Sequence, residues 1–141
     1  MNRWDAFLAT VLVVVGMGLY SPDLGHTLFF DDQFLITDNI YVHEISAENI
    51  GKWFTENSFA GGGRTSEYYR PLLIASFAGN YALHGAEPLG YFLFNNALHA
   101  LTGVIVFLLI LTLTRQRWLA FLTALVYVVH PIQSENIAFV S

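Results

Sequence analysis

The stretch LGYFLFNNALHALTGVIVFLLILT, residues 89–112, decides how this chain is read. It holds no charged side chain, and as a helix it would reach about 36 Å against a bilayer hydrocarbon core of about 30 Å. That is enough to span with some tilt. Arg115, Gln116 and Arg117 follow, then a second apolar block from Trp118 to Val129, stopped by His130-Pro131. Twelve residues make about 18 Å of helix, short for a straight span. Upstream, Ala6 to Tyr20 forms a third uncharged block, about 22 Å long, with Trp4 and Tyr20 at interfacial positions and Pro22 beyond it. A cleaved leader is the competing reading of this block. Gly18-Leu19-Tyr20 lacks the small-x-small cleavage pattern, so an uncleaved anchor is the expectation.

Composition agrees with a membrane setting. Of 141 residues, 55% are hydrophobic and only 12% charged, about half the usual charged share. The absence of cysteine excludes a disulfide framework and a thiolate metal site. A net charge of −5 argues against nucleic acid as a partner. The fold class expected is an all-α membrane protein. Three transmembrane or membrane-embedded helices would be joined by a long outside loop carrying short amphipathic helices. The segments are 1–22, first transmembrane helix; 23–88, extracytoplasmic loop; 89–114, second transmembrane helix; 115–117, cytoplasmic turn; 118–130, third helix; and 131–141, extracytoplasmic tail. Arg3, Arg115 and Arg117 set the sidedness by the positive-inside rule. The N-terminus would be cytoplasmic and the long loop periplasmic or luminal.

A loop of that size carries function or structure of its own. Ser46 is placed to cap a short helix reaching Phe54. Gly61-Gly62-Gly63 reads as a flexible break, and Pro71 as the first turn of an amphipathic helix to about Leu83, ended by Gly85.

Several side chains there have chemistry to offer. Asp31 and Asp32 follow the apolar run Leu28-Phe29-Phe30. A carboxylate at that place can take a proton from an attacking hydroxyl; it can equally be a solvated acidic turn. Arg70 offers a cation to a lipid phosphate, or it pairs with Glu67 or snorkels. Lys52 and Arg64 are weaker versions of the same idea. Asn95 and His99 share a helix face at membrane depth, where polar groups line a cavity or bond neighbouring helices. His130 and Glu135 would return to the outer compartment. No metal-ligand spacing, phosphate loop or nucleophile elbow occurs, so no metal site and no cofactor is proposed.

In order, the chain presents Phe30-Asp31-Asp32, Asp38-Asn39, Tyr69-Arg70-Pro71-Leu72 and Asn80-Tyr81-Ala82-Leu83-His84-Gly85. It continues with Pro88-Leu89-Gly90-Tyr91, Asn95, Leu98-His99-Ala100 and His130-Pro131-Ile132-Gln133-Ser134-Glu135-Asn136-Ile137. This set resembles the N-terminal part of the transmembrane and tetratricopeptide-repeat O-mannosyltransferases and their bacterial relatives, multi-span glycosyltransferases of the GT-C fold. The resemblance implies that Asp31 is a catalytic base with Asp32 as its partner, or the reverse, and that Arg70 contacts the lipid phosphate. Asn95, His99, His130 and Glu135 would be site-lining. It also implies a polyprenyl phosphate sugar donor, with mannose the expected sugar, and a protein Ser or Thr acceptor. The chain would then be a fragment of a longer protein, inactive alone. The competing function is a non-catalytic membrane scaffold, in which the acidic pair is dispensable.

Overall fold

A computed structural model describes residues 2–21, 27–28, 30–134 and 137. Among them there are helices and turns and no strand. Five α-helices follow in order: α1, Arg3–Leu19; α2, Ala47–Thr55; α3, Pro71–His84; α4, Pro88–Thr114; and α5, Arg117–Val129. The described residues of 1–24 and 92–139 form one compact unit, and those of 25–91 a second.

In the first unit, α1 begins earlier than its apolar block. Asn2 caps it, accepting from the backbone N–H groups of Trp4 and Asp5, while the Asp5 carboxylate accepts from the Asn2 N–H at 2.8 Å. This reciprocal box satisfies donors that a helix start leaves open. Asp5 is also buried and takes a 2.7 Å ion pair from Nε of Arg117, the first residue of α5. The two helices therefore start at the same end of the unit. The expected turn at 115–117 is consequently shorter: Arg115 adopts a left-handed φ of 56° and Arg117 is already helical.

The core of this unit is Leu8, Leu12, Phe107, Ala120, Ala124 and Val128. Small residues at the crossings let the helices approach closely. A Cβ on Gly16 would stand 3.2 Å from that of Ala100. Among the described residues, only α4 is long and apolar enough to cross a membrane by itself, with 27 residues. Phe7 and Val14 on α1, Leu101, Ile105, Leu109 and Leu113 on α4, and Leu122 and Val126 on α5 are exposed, which suits contact with hydrocarbon rather than water.

The second unit packs around Leu35, Ile36, Val42, Trp53, Ile74 and Phe77. Ser46 caps α2 as the sequence predicts, its Oγ accepting from the Asn49 N–H at 3.1 Å. Trp53 Nε1 donates to the Tyr41 carbonyl at 2.9 Å and anchors the buried side of α2. Pro71 opens α3 and Gly85, with φ 63°, closes it. On α3 the polar residues Ser76, Asn80 and His84 fall four apart, yet Asn80 is buried and donates to the Ser76 carbonyl at 3.0 Å. Leu72 and Leu83 are exposed instead, so α3 is less amphipathic than expected.

The flexible break expected at Gly61-Gly62-Gly63 is overturned. Ala60–Gly62 is a 3-10 turn, and Gly61 is buried. A Cβ on Gly61 would run into the Asn39 side chain, and one on Gly62 into the Phe34 carbonyl. Gly63 has a left-handed φ of 73°. Gly61 lies against side chains, Gly62 against backbone, and Gly63 turns left-handed, so each position favours a residue without a Cβ.

Candidate functional site

The acidic pair sits between two backbone irregularities. Phe30 has φ 54°, a left-handed conformation that costs a non-glycine residue about 1–3 kcal/mol. Asp31 and Asp32 are helical and lead into a single π-helical turn, Gln33–Thr37, in which the Asp38 N–H donates to the Gln33 carbonyl at 2.7 Å. Strained residues and π-turns gather at functional sites. Between them the two carboxylates take different surroundings. Asp31 is exposed, whereas Asp32 is 2% exposed and packed inside the unit.

Asp31 opens on a cavity of about 200 Å³ shared with Phe59, Arg64, Thr65, Ser66 and Tyr68. Among the described residues this cavity combines one carboxylate, one guanidinium, two aliphatic hydroxyls and a phenol around aromatic surface. The Arg64 guanidinium lies 3.4 Å from the centroid of the Phe34 ring, and the Arg64 N–H donates to the Phe59 carbonyl at 3.2 Å. Arg70 does not line the cavity. Its guanidinium stacks 5.0 Å from the centroid of Tyr68, whose ring does line it.

Ser58, a residue that sequence chemistry passes over, ties this region together. It is buried, its N–H donates to the Tyr68 carbonyl at 2.9 Å, and its Oγ accepts from the Arg70 N–H at 2.9 Å. Its carbonyl accepts from Asn39 Nδ2 at 3.3 Å, and Asn39 Oδ1 accepts from the Tyr41 N–H at 3.1 Å. The motifs Asp38-Asn39 and Tyr69-Arg70-Pro71 are therefore linked through one serine. A short polar residue beside Asn57, itself a turn-former, was the one sequence signal available for it. Nearby, Lys52 is committed to Glu56 at 2.8 Å, and Tyr41 Oη donates to the same carboxylate at 3.0 Å. Lys52 and Tyr41 together hold the Glu56 carboxyl below its ordinary range. His43 stacks on Tyr81 at 4.3 Å, its Nε2 3.0 Å from the Ile36 carbonyl, which seats α3 against the π-turn.

The polar residues of α4 belong to the other unit. His99 is buried between Tyr20, edge-on at 5.4 Å, and Tyr127, stacked at 5.5 Å. Its Nε2 lies 3.0 Å from the Val128 carbonyl, so that nitrogen donates. Asn96 Nδ2 donates to the Met17 carbonyl at 3.2 Å, and Asn96 Oδ1 is buried with no hydrogen-bond partner among the described residues. Asn95 and His99 do share a second cavity of about 200 Å³, with Thr102, Tyr127 and Gln133. Among the described residues its lining carries no formally charged side chain. His130 is exposed and caps the 3-10 turn Pro131–Gln133, its Nδ1 accepting from the Ile132 N–H at 3.2 Å. Glu135 lies outside the described residues. Among the described residues no group of three or more His, Cys, Asp or Glu could hold a metal ion.

Residues 34–139 match the family described as dolichyl-phosphate-mannose-protein mannosyltransferase. The chain is 33% identical over 132 residues to protein O-mannosyl-transferase TMTC3 of Mus musculus, covering 91% of this chain and 14% of that protein. It is 38% identical over 125 residues to TMTC1 of Mus musculus, covering 84% and 13%, and 31% identical over 129 residues to TMTC2 of Homo sapiens, covering 88% and 15%. The chain thus spans about one seventh of the length of these relatives. No solved structure matches it.

Proposed function

Because the chain belongs to the dolichyl-phosphate-mannose-protein mannosyltransferase family, we propose that it carries the base of a mannosyl transfer from a polyprenyl phosphate donor to a protein Ser or Thr hydroxyl. The relatives are named protein O-mannosyl-transferases, which supports glycosyl transfer to protein as the chemistry of the longer protein. The donor lipid, the placement of three spans in a GT-C fold and a periplasmic or luminal loop are parts of the same reading. The shared starting end of α1 and α5, held by Asp5 and Arg117, supports that sidedness by gathering Arg3 and Arg117 on one side.

The observation that carries the reading is the unequal placement of the acidic pair. Asp31 lines a cavity while Asp32 is buried. In the step proposed, the acceptor oxygen bonds to the anomeric carbon as the carbon–phosphate oxygen bond breaks. The phosphate leaves with the bonding electrons, and Asp31 takes the hydroxyl proton. A lipid phosphate leaves readily, so the protein chiefly positions the partners and removes one proton. Asp32 acts as a positioning residue from inside the turn, and the donor phosphate calls for a cation, for which the Tyr-Arg-Pro motif offers Arg70, set on the Tyr68 ring. Asn95, His99, His130 and Glu135 are proposed only as more distant lining. His99 and Asn96 bond neighbouring helices, an arrangement that favours a scaffolding role for those two.

The test is Asp31→Asn and Asp32→Asn in the full-length protein, reconstituted with donor and acceptor peptide. Asp31→Asn should lower kcat by a factor of about 100 or more, the range of a general base, with donor binding kept. Asp32→Asn should reduce transfer together with thermal stability. Wild-type turnover in Asp31→Asn would remove it from the mechanism.

A further inference from the structure

We infer that Arg64 is the residue that holds the anionic phosphoryl group of the donor in the Asp31 cavity. The inference rests on the reading of Asp31 as base. Sequence chemistry singles out Arg70 for a phosphate, because it stands in the Tyr-Arg-Pro motif. The cavity is lined by Arg64 instead. Arg70 stands on the Tyr68 ring without lining the space that Asp31 faces.

The fold places Arg64 with some care. Its guanidinium lies flat against Phe34, 3.4 Å from the ring centroid. One face is thereby stacked, and the N–H donors run along the plane of the group, away from the ring. A guanidinium fixed in plane presents a fork that matches two phosphate oxygens and loses little entropy on binding them. Phe34 lies within the π-turn that follows the acidic pair directly. The carboxylate and the guanidinium are thus mounted on one short piece of backbone and its aromatic side chain.

The glycine corner supplies the rest of the geometry. Gly61 fits against Asn39 and Tyr41, Gly62 against the Phe34 carbonyl, and Gly63 turns left-handed just before Arg64. The Arg64 N–H closes the corner onto the Phe59 carbonyl. Two glycines at close approach and a third in a left-handed turn bring Arg64 back beside the residues that follow Asp31. Thr65, Ser66 and Tyr68 add neutral hydroxyls to the same space, which suits a ligand that is anionic at one end and hydroxylated at the other.

The experiment uses the full-length protein in proteoliposomes with a polyprenyl phosphate mannose donor and an acceptor peptide, measuring donor KM and kcat separately. Arg64→Gln should raise donor KM roughly tenfold to hundredfold, the range for losing a charge-assisted pair of hydrogen bonds. Arg64→Lys should recover only part of that, because the ammonium keeps the charge and loses the planar fork. Lys52→Gln, which removes a cation of the same unit committed to Glu56, should leave donor KM unchanged. A wild-type donor KM in Arg64→Gln overturns the assignment. Should that variant fail to fold, Arg64→Lys carries the test, and a wild-type KM there overturns it equally. Asp31→Asn separates the two failures. Full transfer in Asp31→Asn sinks the reading of the site as a whole, whereas an inactive Asp31→Asn beside a wild-type KM in Arg64→Gln sinks the role of Arg64 alone.

Discussion

Two adjacent aspartates with the same chemistry end in different surroundings because neighbouring positions on a helical turn point about 100° apart. Phe30, at φ 54°, precedes the turn, on which Asp31 is exposed and Asp32 buried. A sequence cannot separate the two, since both read as acidic residues after an apolar run. Gly62 makes the same point. It reads as flexibility, yet its α-carbon meets the Phe34 carbonyl with no space for a methyl group. Gly62→Ala should therefore destabilise the protein by about 1–3 kcal/mol, the usual cost of forcing atoms into a filled site. It should also displace Phe34, and with it the surface on which Arg64 rests. Thermal unfolding checks the first effect and the donor KM the second. A Gly62→Ala protein as stable as wild type would restore the reading of this run as a loose break.

Among the elements, what the sequence made legible is the helices with a clear physical signature. Ser46, Pro71 and Gly85 mark the ends of α2 and α3 by chemistry that acts within one turn, and the structure keeps all three. The uncharged blocks foretold α1, α4 and α5 to within a few residues. Long-range partnerships were not legible. Asp5 bonding Arg117, or Ser58 bonding both Tyr68 and Arg70, joins residues whose separation in the chain leaves no periodic trace. The Tyr41–Glu56–Lys52 cluster, which fastens α2 to the preceding loop, has a testable pH dependence. Lys52 first, then Tyr41, holds Glu56 below its ordinary value of 4.5. A carboxyl with a depressed folded value adds stability above its unfolded value and loses it as pH falls through the folded one. The stability gap between wild type and Glu56→Gln should be open at neutral pH and close progressively below about pH 4.5. Chemical unfolding at pH 7 and at pH 3 measures it, and a gap of the same size at both would dismiss the cluster as a fastening.

For the molecule as a whole, the environment of the helical unit decides what its surface means. Leu101, Ile105, Leu109 and Leu113 recur every four residues along one exposed side of α4, while Phe107 on the other side is buried against α1 and α5. In water such a stripe would need a partner or would aggregate. Against lipid tails it costs nothing, and the cost falls on any charge placed there, about 2.5–3.5 kcal/mol at the middle of a spanning helix. The two environments thus give opposite answers to one substitution. Ile105→Asp in a water-exposed bundle would replace an exposed apolar side chain with a solvated one and improve recovery in the soluble fraction. In a helix that crosses the bilayer it should impair integration, leaving more of the protein extractable by alkaline carbonate. Ile105→Leu, which keeps the surface apolar, should behave as wild type. If Ile105→Asp remained fully resistant to carbonate while Phe107→Asp did not, α4 would be facing something other than hydrocarbon along that stripe. The orientation of the Asp31 loop relative to the bilayer would then lose its support, since that orientation depends on α4 spanning.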